Sequence, residues 1–304
     1  MASPGTPPQE PGAPATPGAP TADPLIGDRR SRIVRGGEGA RSTWVAVAST
    51  VIFFSVVTIV VVNSPGWSAE GGVKQSFFNG ALFRESLPKI LDGFWLNVRI
   101  FLIAEVLVLG FALLLAVMRS LPGPVFAPLR LAAVAYSIFF RGVPTILVIF
   151  ILGFGMPALE LQGVPNSDVF WAIIALTLVY SAYVAEVYRA GIESVHPSQT
   201  AAARSLGLRR GQALRFVVLP QAIRRVLPPL LNDFIGLQKD SALVAVLGVT
   251  EGLRQAQISQ ASNFNFTPFV ALALVYVVIT IPQVLFVDWL IKRDQRRRQA
   301  GAVA

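Results

Sequence analysis

The chain of 304 residues has no cysteine and a single histidine. It therefore forms no disulfide, no thiolate metal site and no thiol nucleophile, and one imidazole cannot build a multi-histidine metal cage. Charge is scarce too: 14% of residues are charged, against about 25% in a soluble domain. In their place, 53% of residues are hydrophobic and the mean hydropathy is +0.59. The apolar residues gather in blocks of about 20, the length of a membrane span. The class is all-α integral membrane. Acidic residues number 17 against 26 Lys and Arg, a formal net charge of +9. A basic surplus can mark a nucleic-acid binder, but here the basic residues flank apolar blocks, which argues for membrane topology and no nucleic-acid partner. No metal and no cofactor is expected.

Residues 1–24 carry a proline every three or four positions among small and polar residues. Such a segment has little to bury and favours extended backbone, so 1–43 reads as a disordered tail with a basic flank: Arg29, Arg30, Arg32, Arg35 and Arg41. A span follows at 44–62; a cleaved signal would have a shorter charged start and a shorter apolar core. An external loop is expected over 63–87. Further blocks run Leu91–Met118, Leu131–Leu152, Val169–Ala185, Val226–Leu247 and Phe269–Ile291, making six spans, with a basic tail at 293–304. The block from Val226 is the weakest, because Asp233, Lys239 and Asp240 interrupt it and Pro228 and Pro229 sit at its start.

Loop charge tests the count, since Lys and Arg collect on the cytoplasmic side. With the amino end inside, the cytoplasmic segments hold 19 basic residues and the exterior ones 4, Lys74, Arg84, Lys89 and Arg254. Both ends are basic, so the number of crossings is even and both termini are cytoplasmic. No inverted internal repeat of the kind found in secondary transporters is visible.

The cytoplasmic loop 187–225 is far longer than the usual connection. His196 or Ser198 can cap a short helix with Pro197 in its first turn, and Gly207 can end it in a left-handed conformation. A second helix is expected from about Gly211 to Leu219, stopping at Pro220. Ala201, Ala202 and Ala203 allow close approach by a partner, with Arg204 beside them, and Leu206 and Leu208 want a hydrophobic contact. Basic residues such as Arg209, Arg210 and Arg215 fit equally well an amphipathic helix lying on lipid. From the residues alone both readings stand.

Residues 201–207, Ala-Ala-Ala-Arg-Ser-Leu-Gly, followed after nine residues by Val-Val-Leu219-Pro220, resemble the EAA loop of permease subunits of bacterial ABC importers. Ala201 stands where that family has its Glu. Phe139–Pro144 (Phe-Phe-Arg-Gly-Val-Pro), Ala182–Ile192, Leu219–Ala222 and Leu237–Ser241 are similar to motifs of the polar amino acid subgroup. The resemblance covers residues 88–292. It implies a type I permease fold, a five-helix core here preceded by one extra helix, and uptake of a polar amino acid of the glutamate, glutamine or basic class. It further implies a bacterial plasma-membrane location. The implied partners are a cytoplasmic ABC ATPase dimer, a second permease subunit and an external solute-binding protein. It makes the short loop helix, with Ala201 to Arg204, Leu206, Gly207, Leu208, Leu219 and Pro220, the coupling element to the ATPase. The chain has no G-x-x-x-x-G-K-[ST] phosphate cradle, so it is not expected to hydrolyse ATP itself. A self-sufficient secondary transporter or channel is the alternative.

An ionisable residue inside a bilayer is costly and points to function. Arg141, Asp233, Lys239, Asp240 and Ser241 are candidates for a translocation path, Arg141 also for snorkelling or closing a gate. Arg99 and Glu105 lie about 120° apart on a helix, so each is expected to find a partner on another helix. Glu186 and Arg189 have the spacing of a helical ion pair. Asn97 is read as structural.

Overall fold

The computed structural model describes residues 39–302, and no strand occurs among them. The proline-rich segment and the arginines from Arg29 to Arg35 lie outside the described residues. Two units are distinguished, residues up to Ser64 and residues from Pro65 onward. The first holds α1 (Gly39–Val62), which starts five residues before the expected Trp44. Its described side chains from Trp44 to Val62 are all exposed, and a helix apolar on every side suits lipid better than water.

The second unit is a helical bundle. Two short helices, α2 (Pro65–Ser68) and α3 (Val73–Phe77), occupy the expected external loop. Next comes α4 (Gly80–Ser120), whose first turn is fixed by Asn79: the side chain accepts from the amides of Ala81 and Leu82 at 3.1 and 3.2 Å. Its 41 residues extend about 60 Å at 1.5 Å per residue, twice the hydrocarbon thickness, so the span 91–118 is only the inner part of a longer rod. One face of α4 is buried, through Ile90, Phe94, Asn97, Ile100, Ala104, Val108 and Ala112, the three- and four-residue spacing of a helix stripe.

The block Leu131–Leu152 is not one straight span. It folds as α5 (Ala127–Gly142) and α6 (Thr145–Ala158), bent by 100°. Pro144 causes the break: it has no amide to donate, and it pushes Val143 into extended backbone at φ −98°, ψ 130°. At the centre stands α7 (Asp168–Glu193), started by the Ser167 side chain accepting from the Phe170 amide at 3.4 Å. Its Ala172, Ala175, Ala182 and Ala185 are wholly buried. Small residues let helix backbones approach closely, which is what packs helices inside lipid. Leu176 and Val179 of the same helix, with Ile100, Ile149, Leu237 and Val244 around it, complete the core.

Beyond the loop helices α8 (Pro197–Ser205) and α9 (Arg210–Ala213), the chain does not stop at Pro220 as expected. A π-helical turn, Leu214–Val218, leads directly into α10 (Leu219–Asp240). The wide turn ends where Pro220, lacking an amide, enters the first turn of α10, the helix position that tolerates proline. Pro228 and Pro229 lie inside α10 rather than at its start. The expected span to Leu247 finishes as a 3-10 segment, Ser241–Leu247, closed by Gly248 at φ +83°. Then α11 (Gly252–Asn263) and α12 (Thr267–Ala302) end the chain's described part. Glu251 starts α11, its carboxylate accepting from the amides of Leu253 and Arg254 at 2.9 and 2.8 Å. The Asn97 side chain accepts from the Gly252 amide at 2.9 Å, a structural role as expected.

Among the described residues, Val73–Ser120, α7 and Thr267–Arg296 are long and apolar enough to cross a membrane, and the bent pair α5–α6 makes a fourth if counted as one span. The apolar stretch Val47–Val62 is shorter, and α10 carries too much charge to qualify on composition. Six spans therefore stay an expectation for these two segments.

Candidate functional site

The loop helix α8 is built as its residues dictate. The Nδ1 of His196 accepts from the Ser198 amide at 3.2 Å, and Pro197 occupies the first turn. At the other end Gly207 adopts φ +86°. Its amide donates to the Arg204 carbonyl at 3.0 Å and that of Leu208 to the Ala203 carbonyl at 3.2 Å. These two bonds form a Schellman motif, which satisfies carbonyls a helix end otherwise leaves open. The helix spans Pro197–Ser205, with Leu206 as its cap. Ala203 is buried, while Ala201, Ala202 and Arg204 are exposed. Leu206 is 85% exposed, a leucine at the tip of a rigid helix with no apolar cover. Leu208 is half-buried, Leu219 and Pro220 exposed.

The base of the loop is tightly held. Val195, Val218 and Ala222 form a small apolar cluster, and the Arg225 guanidinium donates to the Ser194 carbonyl.

The candidate path residues separate into two places joined along α7. The Tyr180 hydroxyl donates to Asp240 at 2.9 Å. One turn on, the Tyr183 ring lies 6.1 Å from that of Tyr180, with the Arg141 guanidinium 5.9 Å from its centroid. Asp240 and Arg141 thus lie beside successive turns of one helix, with two tyrosines between them. Lys239 is exposed and Ser241 buried, the serine hydroxyl donating to the Gln238 carbonyl at 2.7 Å. One carboxylate oxygen of Asp233 is buried with no hydrogen-bond partner. The charge of Asp233 acts on Glu105 of α4, a repulsion between like charges and not a pairing, and no ion pair of Glu105 occurs among the described residues, so the partner expected for it on another helix is not found. Arg99 stands instead 5.5 Å over Trp95 of its own helix; four residues apart, the two share a helix face.

Glu186 makes the expected pair with Arg189, at 3.0 Å from the guanidinium Nε. It also accepts from Arg119 at 2.8 Å and lies 3.8 Å from Arg141. These partners are 67 and 45 residues away in sequence, a separation that helical spacing does not reveal. Tyr183 falls within the Ala182–Ile192 motif, but nothing in the sequence assigns a role to it or to Tyr180, since two aromatics three residues apart are ordinary in a span.

Residues 109–296 match the family model described as binding-protein-dependent transport system inner membrane component. The chain belongs to that family. The permease is 38% identical over 223 residues to the "Probable glutamine ABC transporter permease protein GlnM" of Bacillus subtilis, covering 72% of this chain and 99% of that one. It is 34% identical to the glutamate/aspartate import permease protein GltK of Escherichia coli, covering 68% and 94% respectively. Among solved structures, the "Crystal structure of an amino acid ABC transporter with histidines" superposes with a TM-score of 0.65 at 31% identity, covering 71% of the permease and 98% of that chain. The permease has the all-helical type I importer fold and is a membrane component of the ABC importer class.

Proposed function

We propose that the permease takes up a polar amino acid, of the glutamine, glutamate or basic class, by alternating access. Its energy would come from a separate cytoplasmic ATPase dimer docked on α8. A second permease subunit and an external solute-binding protein complete the assembly, in the plasma membrane of a bacterium with both permease termini cytoplasmic. The observation that carries this reading is α8 itself: short, rigid, closed at both ends, and presenting the uncovered Leu206 on the basic side of the chain. The names of the relatives support the solute class. Arg141, Asp233, Lys239, Asp240 and Ser241 are the proposed solute path, with Asp240 oriented by Tyr180. A photoreactive residue in place of Leu206 is expected to cross-link a protein carrying G-x-x-x-x-G-K-[ST] in intact cells. Cross-linking only to lipid would mean that α8 is a surface helix.

The topology has its own test, made clean by the absence of native cysteine. Glu70→Cys is expected to react with an impermeant thiol reagent added outside, and Arg210→Cys to react only after the membrane is opened. Equal labelling of both from outside would contradict cytoplasmic termini.

A further inference from the structure

The geometry points to Glu186 as a positioning residue that passes movement of the loop to two other helices, an inference that rests on the proposed coupling role of α8. The base of the loop is one clasp. Arg225 of α10 holds the Ser194 carbonyl, Val195 packs with Val218 and Ala222, and Gly191 of α7 lies so close to Val226 that an added Cβ would stand 1.8 Å from that side chain. The ends of α7 and α10 therefore move together with α8. From this clasp a line of charge runs back along α7: Glu193 pairs with Arg189, and Arg189 with Glu186.

At Glu186 the line leaves α7. One carboxylate oxygen takes Arg189, and the other accepts from Arg119, at the cytoplasmic end of α4, at 2.8 Å. The same oxygen lies 3.8 Å from Arg141, in the last turn of α5. A single carboxylate thus gathers three guanidinium groups from three helices. Exposed ion pairs contribute little, but the Arg119 and Glu186 side chains are only 15% and 24% exposed, where water and salt screen them less. Arg141 also precedes the Gly142–Pro144 break, so a pull on it acts at the joint between α5 and α6. The same arginine stands over Tyr183, whose ring neighbours that of Tyr180, the tyrosine that bonds Asp240. Tilting of the clasp is thereby converted into displacement of α4 and of the α5–α6 bend, beside the proposed solute path.

Glu186→Gln keeps the shape of the side chain and removes its charge, and Arg119→Gln removes only the arm to α4. The permease would be purified with its ATPase, reconstituted with its solute-binding protein, and supplied separately with radiolabelled glutamine, glutamate and arginine. Assembled complex is expected to stay within twofold of wild type for both variants, while solute carried per ATP hydrolysed falls at least tenfold for Glu186→Gln and at least threefold for Arg119→Gln. The double variant is expected to be no worse than Glu186→Gln alone, the non-additivity of groups acting as one unit. A transport ratio within twofold of wild type overturns the inference. So does a loss of assembled complex with an unchanged ratio in what remains, which is the signature of a merely structural ion pair. If Glu186→Gln fails to insert, Arg119→Gln carries the test alone under the same criteria. Absence of ATP-driven uptake by the wild-type complex would instead refute the proposed function.

Discussion

Gly207→Val is expected to leave the permease inserted and folded while solute uptake falls at least tenfold. Gly207 holds φ +86° and places its amide and that of Leu208 on the Arg204 and Ala203 carbonyls. A side chain in this left-handed conformation costs about 1–2 kcal/mol, and a β-branched one is the least tolerant. No atom lies within 4 Å of an added Cβ, so the effect is on backbone conformation and not on packing. The cheapest relief is to unwind the last turn of α8, which re-aims Leu206 without disturbing the buried core. Asparagine tolerates the left-handed region, so Gly207→Asn is expected to retain at least half of the uptake. If α8 merely lay on lipid, Gly207→Val would leave uptake near normal, and charge reversal at Arg209 and Arg210 would release the loop. Uptake and ATPase co-purification, measured on the same membranes, separate the two.

Gly93→Val is expected to have the opposite profile, a loss of folded protein. A Cβ on Gly93 would stand 2.7 Å from the carbonyl carbon of Glu251 and 2.8 Å from its oxygen. The Gln255 Cγ, also at 2.8 Å, can shift, but the Glu251 atoms are backbone at the turn where Glu251 caps α11 and Asn97 holds the Gly252 amide, and they cannot move aside. Overpacking commonly costs about 1–3 kcal/mol, and a rigid neighbour places this site at the upper end. Monodisperse protein recovered in detergent is expected to fall at least fivefold and the melting temperature of the remainder to drop. Gly110→Ala, where a Cβ meets nothing within 4 Å, is expected to match wild type in both measurements. Equal recovery of Gly93→Val and Gly110→Ala would contradict the close packing of α4 on α11.

Features governed by neighbours in the chain were legible in advance. Pro197, His196 and Gly207 announce the start and end of α8, because caps and left-handed residues depend on a few adjacent positions. Proline proved harder to read, since its consequence depends on what surrounds it. Pro144 breaks a block that looks continuous, whereas Pro220, after a π turn, opens a helix it was expected to close. Pro228 and Pro229 fall within α10. That helix is amphipathic, so hydropathy alone understates it. Long-range pairs were illegible: nothing in the local pattern brings Arg119 to Glu186, or Asn97 to Gly252. The proposed path was half legible, because charge inside an apolar block stands out, while the tyrosines linking Asp240 to Arg141 look like ordinary span residues until the helix is seen.

The most direct test of coupled import is accumulation of solute in sealed proteoliposomes, with the permease alone or assembled with its ATPase and solute-binding protein. The assembled system is expected to concentrate radiolabelled glutamine, glutamate or arginine only when ATP is present on the ATPase side, and the permease alone to concentrate none of them under a proton or sodium gradient. Gradient-driven accumulation by the permease alone, at a rate ATP and the partners do not raise, would contradict the account and favour a self-sufficient transporter.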